Sequence, residues 1–228
     1  MRVEYLNPDV FEAKAQSVLD DYQRRFGPLG PPVIPVDEIL ECVLGLTLRF
    51  GEVKKQWGDA TLGATILKDR TVWIDVSLEP ETFPEMEASY RFTLAHEGGH
   101  WVFHRDIVTD PNARLAHAPT SVPTWGAARK APVDRIEYQA NRFAEALLMP
   151  DSWLRQYWRQ VTGGDAPYDM TDELAVLKEN NEFGPEWEPA VGVAKTLAPV
   201  FRVSAFAMQI RLKNIGLLVP SEKPIPAQ

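Results

Sequence analysis

In Ala95-His96-Glu97-Gly98-Gly99-His100 two histidines stand four residues apart, with a glutamate directly after the first, the pattern H-E-x-x-H. On a helix, positions four apart share a face one turn apart. Both imidazoles can then bind a single tetrahedral ion, and the glutamate reaches the water that completes the coordination. Zinc lowers the pKa of such a water to roughly 7, and a carboxylate can take its proton as it attacks a carbonyl. His96 and His100 are therefore candidate metal ligands and Glu97 a candidate general base. The bland alternative is a helix whose surface simply carries these polar residues. Gly98 and Gly99 argue against it, because each mid-helix glycine costs about 1 kcal/mol relative to alanine. That cost is understandable where a strand or a crossing helix must approach the backbone.

A catalytic site needs a third protein ligand. The extended pattern H-E-x-x-H-x-x-G-x-x-H fails, since Phe103 stands where glycine is expected and Asp106 where the last histidine should be. The remaining source is a glutamate on a later helix. Glu137 lies 37 residues after His100, at the margin of an apolar face formed by Ile136, Ala140, Phe143, Ala144 and Leu147. Asn141, one turn on, could steady a ligand. Spacing alone fits equally a capping-box glutamate with Asp134 as N-cap. Glu145 on the same segment is read as solvated. His104, one turn past His100, could support a ligand or an oxyanion, or could simply end the helix. Tyr90 could steady a tetrahedral oxyanion, or serve only packing.

These groups need helices and a sheet to hold them. Apolar residues recurring at three and four predict a helix over 9–26, with Asp9 as N-cap and Gly27 as stop. A short helix follows over 36–44, and its single cysteine, Cys42, reads as a small buried hydrophobe. Alternation predicts strands over 46–50, 61–67 and 71–76, the last two joined by a turn at Lys68-Asp69-Arg70, forming a small antiparallel sheet. Helices are expected over 86–105 and 133–148, separated by a long loop over 106–132. Further helices are expected over 151–160, 171–180, 186–200 and 204–213. The stretch Thr162 to Pro167 is the best linker, giving domains 1–165 and 166–228.

Composition narrows the class. The chain has 228 residues, 45% of them hydrophobic and 25% charged, as in a globular protein with a proper core. With 24 basic against 32 acidic residues the net charge is −8, which argues against nucleic-acid binding as the main role. A lone cysteine suits a reducing compartment. No signal peptide and no membrane-length apolar run are evident, so a cytoplasmic protein without membrane partners is expected.

Two blocks, Arg91-Phe92-Thr93-Leu94-Ala95-His96-Glu97-Gly98-Gly99-His100 and Glu137 through Met149-Pro150, resemble the paired signatures of the ImmA/IrrE family of metallopeptidases. Gly98 departs from that pattern, which usually carries a bulky aliphatic there. The resemblance spans roughly residues 9–150 and, more loosely, the C-terminal helices. It implies an α+β, zincin-like domain with active-site helices. It also implies a gluzincin-like set of His96, His100 and Glu137 around Zn2+, with Glu97 as base. Two histidines and a carboxylate suit Mn2+ as well. The implied substrate is a helix-turn-helix repressor, whose cleavage would release stress or mobile-element genes. Other members of that family sit beside repressor-like partners in toxin–antitoxin-type operons.

The segment Ala194 to Leu218 reads as a helix-turn-helix, with Ser204 capping its second helix. Arg202, Arg211 and Lys213 are the candidate contacts to DNA or a partner. The competing reading is a helical lobe that receives the substrate. Two functions follow: a zinc endopeptidase with a narrow protein substrate, or a transcription regulator or antitoxin-like binding protein with a non-catalytic metal site.

Overall fold

The computed structural model of the protein describes residues 3–106, 114–117, 132–179 and 188–219, and the statements below concern those residues. The chain forms two compact units, residues 1–150 with 201–203, and residues 151–200 with 204–228.

The first unit opens with helix α1 (Pro8–Phe26), which buries Phe11, Ala15, Val18, Leu19 and Tyr22. Asn7, not Asp9, is its N-cap: the Asn7 carboxamide accepts from the Asp9 N–H at 3.1 Å, and Pro8 fills the first helical position. Proline suits that place because its missing N–H would be an orphan there anyway. Gly27, at φ +96°, ends the helix where a side chain would be strained. Helix α2 (Val36–Glu38) runs into a π-helical turn, Ile39–Val43. Val36, Ile39 and Leu40 are buried, whereas Cys42 is exposed, contrary to the expectation from its apolar neighbours. The wider turn places Ile39 and Leu40 inward and leaves Glu41 and Cys42 facing out.

Strands β1 (Thr47–Gly51), β2 (Gly63–Ile66), β3 (Thr71–Asp75) and β4 (Arg114–His117) form one sheet in the order β1-β3-β2-β4. The β2–β3 and β2–β4 pairs are antiparallel, while β1 lies parallel to β3, so the expected antiparallel sheet has one parallel edge. The cause is a short helix missed in the sequence, α3 (Val53–Trp57). It reverses the chain after β1, and the β2–β3 hairpin then seats β3 in the gap. Asp75 locks this crossover, its buried carboxylate accepting from the Lys54 N–H at 2.9 Å and the Ser77 N–H at 3.1 Å. Strand β4 falls within the stretch read as a loop; residues 107–113 and 118–131 of that stretch lie outside the described residues.

Helices α4 (Glu87–His104) and α5 (Pro132–Leu148) pack on each other, with α4 also against β2 and α5 also against α1. Their separation is set by Gly99, where an added Cβ would lie 2.9 Å from both Cα and O of Ala140. Gly98 faces a different neighbour: an added Cβ would meet Leu40 Cδ1 at 3.2 Å and Leu44 Cδ1 at 3.6 Å.

In the second unit, α6 (Asp151–Thr162), α7 (Thr171–Glu179), α8 (Gly192–Phe201) and α9 (Ala205–Asn214) accompany a parallel pair, β5 (Tyr168–Asp169) and β6 (Leu218–Val219). The division falls at Pro150 rather than near 165 because α6 is tied to later residues. Trp158 Nε1–H donates to the Ala166 carbonyl at 3.3 Å and Arg155 Nη2 to the Ile215 carbonyl at 3.1 Å. Ser204 caps α9 as expected, accepting from the Ala207 N–H at 3.1 Å. Among the described residues no helix is long and apolar enough to cross a membrane.

The two glycines of α4 give a paired test. Gly99→Ala drives a methyl into Ala140 backbone, which cannot yield cheaply, and should destabilise by about 2 kcal/mol or more. Gly98→Ala meets only a flexible leucine end and gains helix propensity, so its effect should stay within about 1 kcal/mol. Urea unfolding of the two variants measures the difference.

Candidate metal centre

Helix α4 carries His96, Glu97, His100 and His104, all buried. Helix α5 brings Glu137, whose side chain is 13% exposed, against them. Asp134 lies within α5, which begins at Pro132, so it is not the N-cap that the capping-box alternative required. Glu137 Oε2 stands 3.1 Å from His96 Nε2 and 3.5 Å from His100 Nε2, and the three atoms lie within 4.8 Å of one another. Two ligand atoms about 2.05 Å from a tetrahedral zinc are roughly 3.3 Å apart. Both separations from Glu137 are thus close to one edge of such a site.

The protons around the cluster point the same way. His96 Nδ1–H donates to Asn141 Oδ1 at 2.8 Å, which leaves the Nε2 lone pair facing Glu137. His100 Nδ1 lies 3.1 Å from His104 Nδ1, and its Nε2 likewise turns to Glu137. Two ring lone pairs and a carboxylate oxygen converging in a buried space repel unless a cation joins them. The donor set therefore fits a divalent ion, and these three residues could hold one.

The titration behaviour carries the same signature. Burial opposes charge on His96, but the hydrogen bond and charge of Glu137 outweigh it and raise its pKa above the ordinary imidazole value. Burial pushes His100 down to about 4, with the neighbouring His96 adding to the shift. Burial also works against ionised Glu137, yet the two imidazoles that face it hold its carboxyl far below the usual range.

Glu97 is 1% exposed, and burial pushes its carboxyl up to about 7, against the charge of His96 and a hydrogen bond from Thr65. Thr65 Oγ1–H, from the inward face of β2, donates to Glu97 Oε2 at 2.6 Å. Gly63, on the same strand, clears the other oxygen: a Cβ there would lie 2.8 Å from Oε1. The sequence did not flag Thr65 or Gly63, because only the sheet's register beside α4 gives them a role. Gln139, also missed, accepts from His104 Nε2 at 3.0 Å. Its signal was present as a polar side chain on the apolar stripe between Ile136 and Phe143.

Other expected residues sit elsewhere. The Tyr90 hydroxyl donates to Asp37 Oδ1 and its ring stacks on Phe50 at 5.7 Å, so it serves packing, and burial raises its pKa. Glu145 is not solvated: it is buried and accepts from Arg142 Nη1 at 2.9 Å. Arg211 is fully buried, with 0% exposure, and has no face to offer to DNA or a partner. The Lys213 side chain is 13% exposed and pairs with Glu188. Arg202 is exposed but pairs with Glu87 at 3.0 Å. The expected basic surface is thus largely neutralised, because the acidic partners come from parts of the chain distant in sequence.

Replacing Asn141 with leucine frees the His96 ring to turn and to hold its proton on Nε2. Zn2+ affinity should fall about 10–100-fold, read by competition with a chromophoric chelator. Glu137 raises the pKa of His96, so binding should also displace the proton that His96 carries at lower pH. Calorimetry near pH 6.5 should therefore show enthalpies that vary with buffer ionisation, an effect that fades as pH rises and His96 deprotonates.

Residues 85–213, more than half of the chain, match the model of a peptidase family described as the IrrE N-terminal-like domain. The matched span runs from before α4 to the end of α9 and so contains every residue of the cluster. No curated protein matches the chain.

Proposed function

The chain belongs to the IrrE N-terminal-like peptidase family, and on that premise we propose that it is a zinc-dependent endopeptidase that cleaves a helix-turn-helix repressor. The observation that carries the reading is the meeting of His96 Nε2, His100 Nε2 and Glu137 Oε2 beside a buried Glu97. The family supports metallopeptidase action on a protein; the repressor as substrate rests on the likeness of the two sequence blocks to the ImmA/IrrE signatures.

A bound Zn2+ would supply Lewis acidity to the scissile carbonyl and to the attacking water. The protein's own groups do the rest. Glu97 takes a proton from the water and returns it to the leaving amine nitrogen. Thr65 occupies Oε2 and so fixes the carboxylate plane, leaving Oε1 in the room that Gly63 provides. Asn141 holds the His96 ring in the tautomer that offers Nε2 to the ion. The lone exposed Cys42 plays no part in these steps and suits a cytoplasmic setting.

The rival reading, a regulator that grips DNA through α9, needs a basic exposed face. Arg211 is buried and Lys213 is engaged with Glu188, so α9 does not present one.

Glu97→Gln should keep Zn2+ at wild-type affinity while cleavage of a purified repressor falls by about 10²–10⁴-fold, the range for loss of a general base. Gel-resolved product, quantified against the zinc-loaded parent, measures it. Undiminished cleavage by Glu97→Gln, or cleavage by zinc-stripped protein, contradicts the assignment.

A further inference from the structure

Ring nitrogens bind a metal only through a lone pair, so a ligand histidine must be kept from placing its proton on the coordinating atom. For His96 a single carboxamide, Asn141, does this. For His100 the neighbour is another histidine, His104, with Nδ1 facing Nδ1 at 3.1 Å. That contact has no intrinsic direction: either ring could donate. Something further along must decide.

The decision can be traced outward. Gln139 Nε2 donates to the main-chain carbonyl of Glu4 at 2.7 Å. A carbonyl only accepts, so the amide nitrogen must face Glu4 and the amide oxygen must face the other way. That oxygen lies 3.0 Å from His104 Nε2, which must therefore carry hydrogen. Neutral His104 then presents a bare Nδ1, and His100 must donate to it from Nδ1–H. The Nε2 of His100 is left with its lone pair toward Glu137, 3.5 Å away. Gln139, His104 and His100 are 4%, 0% and 0% exposed, so water does not compete for any link.

We propose that Gln139, oriented by the Glu4 main-chain carbonyl, acts through His104 to set the tautomer of His100 and so makes it a metal ligand. The proposal rests on the peptidase reading for its purpose, but the tautomer itself is a property of the metal-free chain. Gln139 and His104 are positioning residues: neither touches the reacting atoms. The Glu4 carbonyl fixes the polarity of all the links, so this N-terminal segment belongs to the support of the metal centre.

Two measurements on the full chain test it. Long-range 1H–15N correlation of the imidazoles in metal-free protein should show His100 as the Nδ1–H form and His104 as the Nε2–H form. Zn2+ titration should then find Gln139→Leu weakened about 10–100-fold, and the same correlation should show that variant losing the Nδ1–H preference of His100. His100 found as the Nε2–H form in the parent protein overturns the proposal. So does a Gln139→Leu variant that binds Zn2+ as tightly as the parent. Should Gln139→Leu not fold, the spectrum of the parent protein decides. A parent protein that binds no Zn2+ defeats the peptidase reading, while the same spectrum still judges the relay.

Discussion

The contact between Gly99 and the backbone of Ala140 governs the rest of the site. Ligand side chains are short compared with the usual spacing of packed helices, about 8–10 Å between axes. A histidine on one helix and a glutamate on another meet on one ion only if the backbones come close. Removing the Cβ where the helices touch permits that approach, and Ala140 on the facing side keeps the surface shallow. From this follow the short distances between Glu137 and the two histidines, and the reach of Asn141 and Gln139 to their ring partners. The helical penalty of a mid-helix glycine is thus offset by the site it permits.

Much of this was legible in the sequence because it is local. The spacing of His96 and His100 fixes a common face, and Glu137 with Asn141 repeats the same one-turn logic on the partner helix. Helices α1, α4 and α5 followed from periodicity to within a residue or two. What could not be read depends on register between distant segments. The parallel placement of β1 comes from a short helix between strands. The role of Thr65 exists only because β2 lies along α4. Cys42 faces outward because a π-helical turn adds a residue to the local winding, which no apolar count reveals. Arg211 read as a surface cation because its neighbours are basic, yet in the structure it is fully buried.

The charge arrangement divides sharply between α4–α5 and the helices that follow. In the metal cluster buried polar groups face one another as acceptors, and only a cation or a shared proton reconciles them. In the second unit the buried Gln209, 1% exposed, is satisfied instead: it takes the Val191 N–H at 2.7 Å and donates to the Pro189 carbonyl at 3.0 Å. A buried group left in tension marks a place where something binds, and a buried group fully satisfied marks architecture. Fold-level likeness alone would not have drawn that line between the two helical regions.

Gly98 and Leu40 share one pocket of volume, the leucine reaching from the π-helical turn into the space where α4 lacks a side chain. Bulk there can be supplied from either segment but not from both. The two positions are coupled: a methyl at residue 98 is absorbed by a small shift of the Leu40 end, but a side chain much larger than alanine there would need a smaller residue at position 40. The missing side chain of Gly98 is thus made good by a leucine that lies far upstream in the chain.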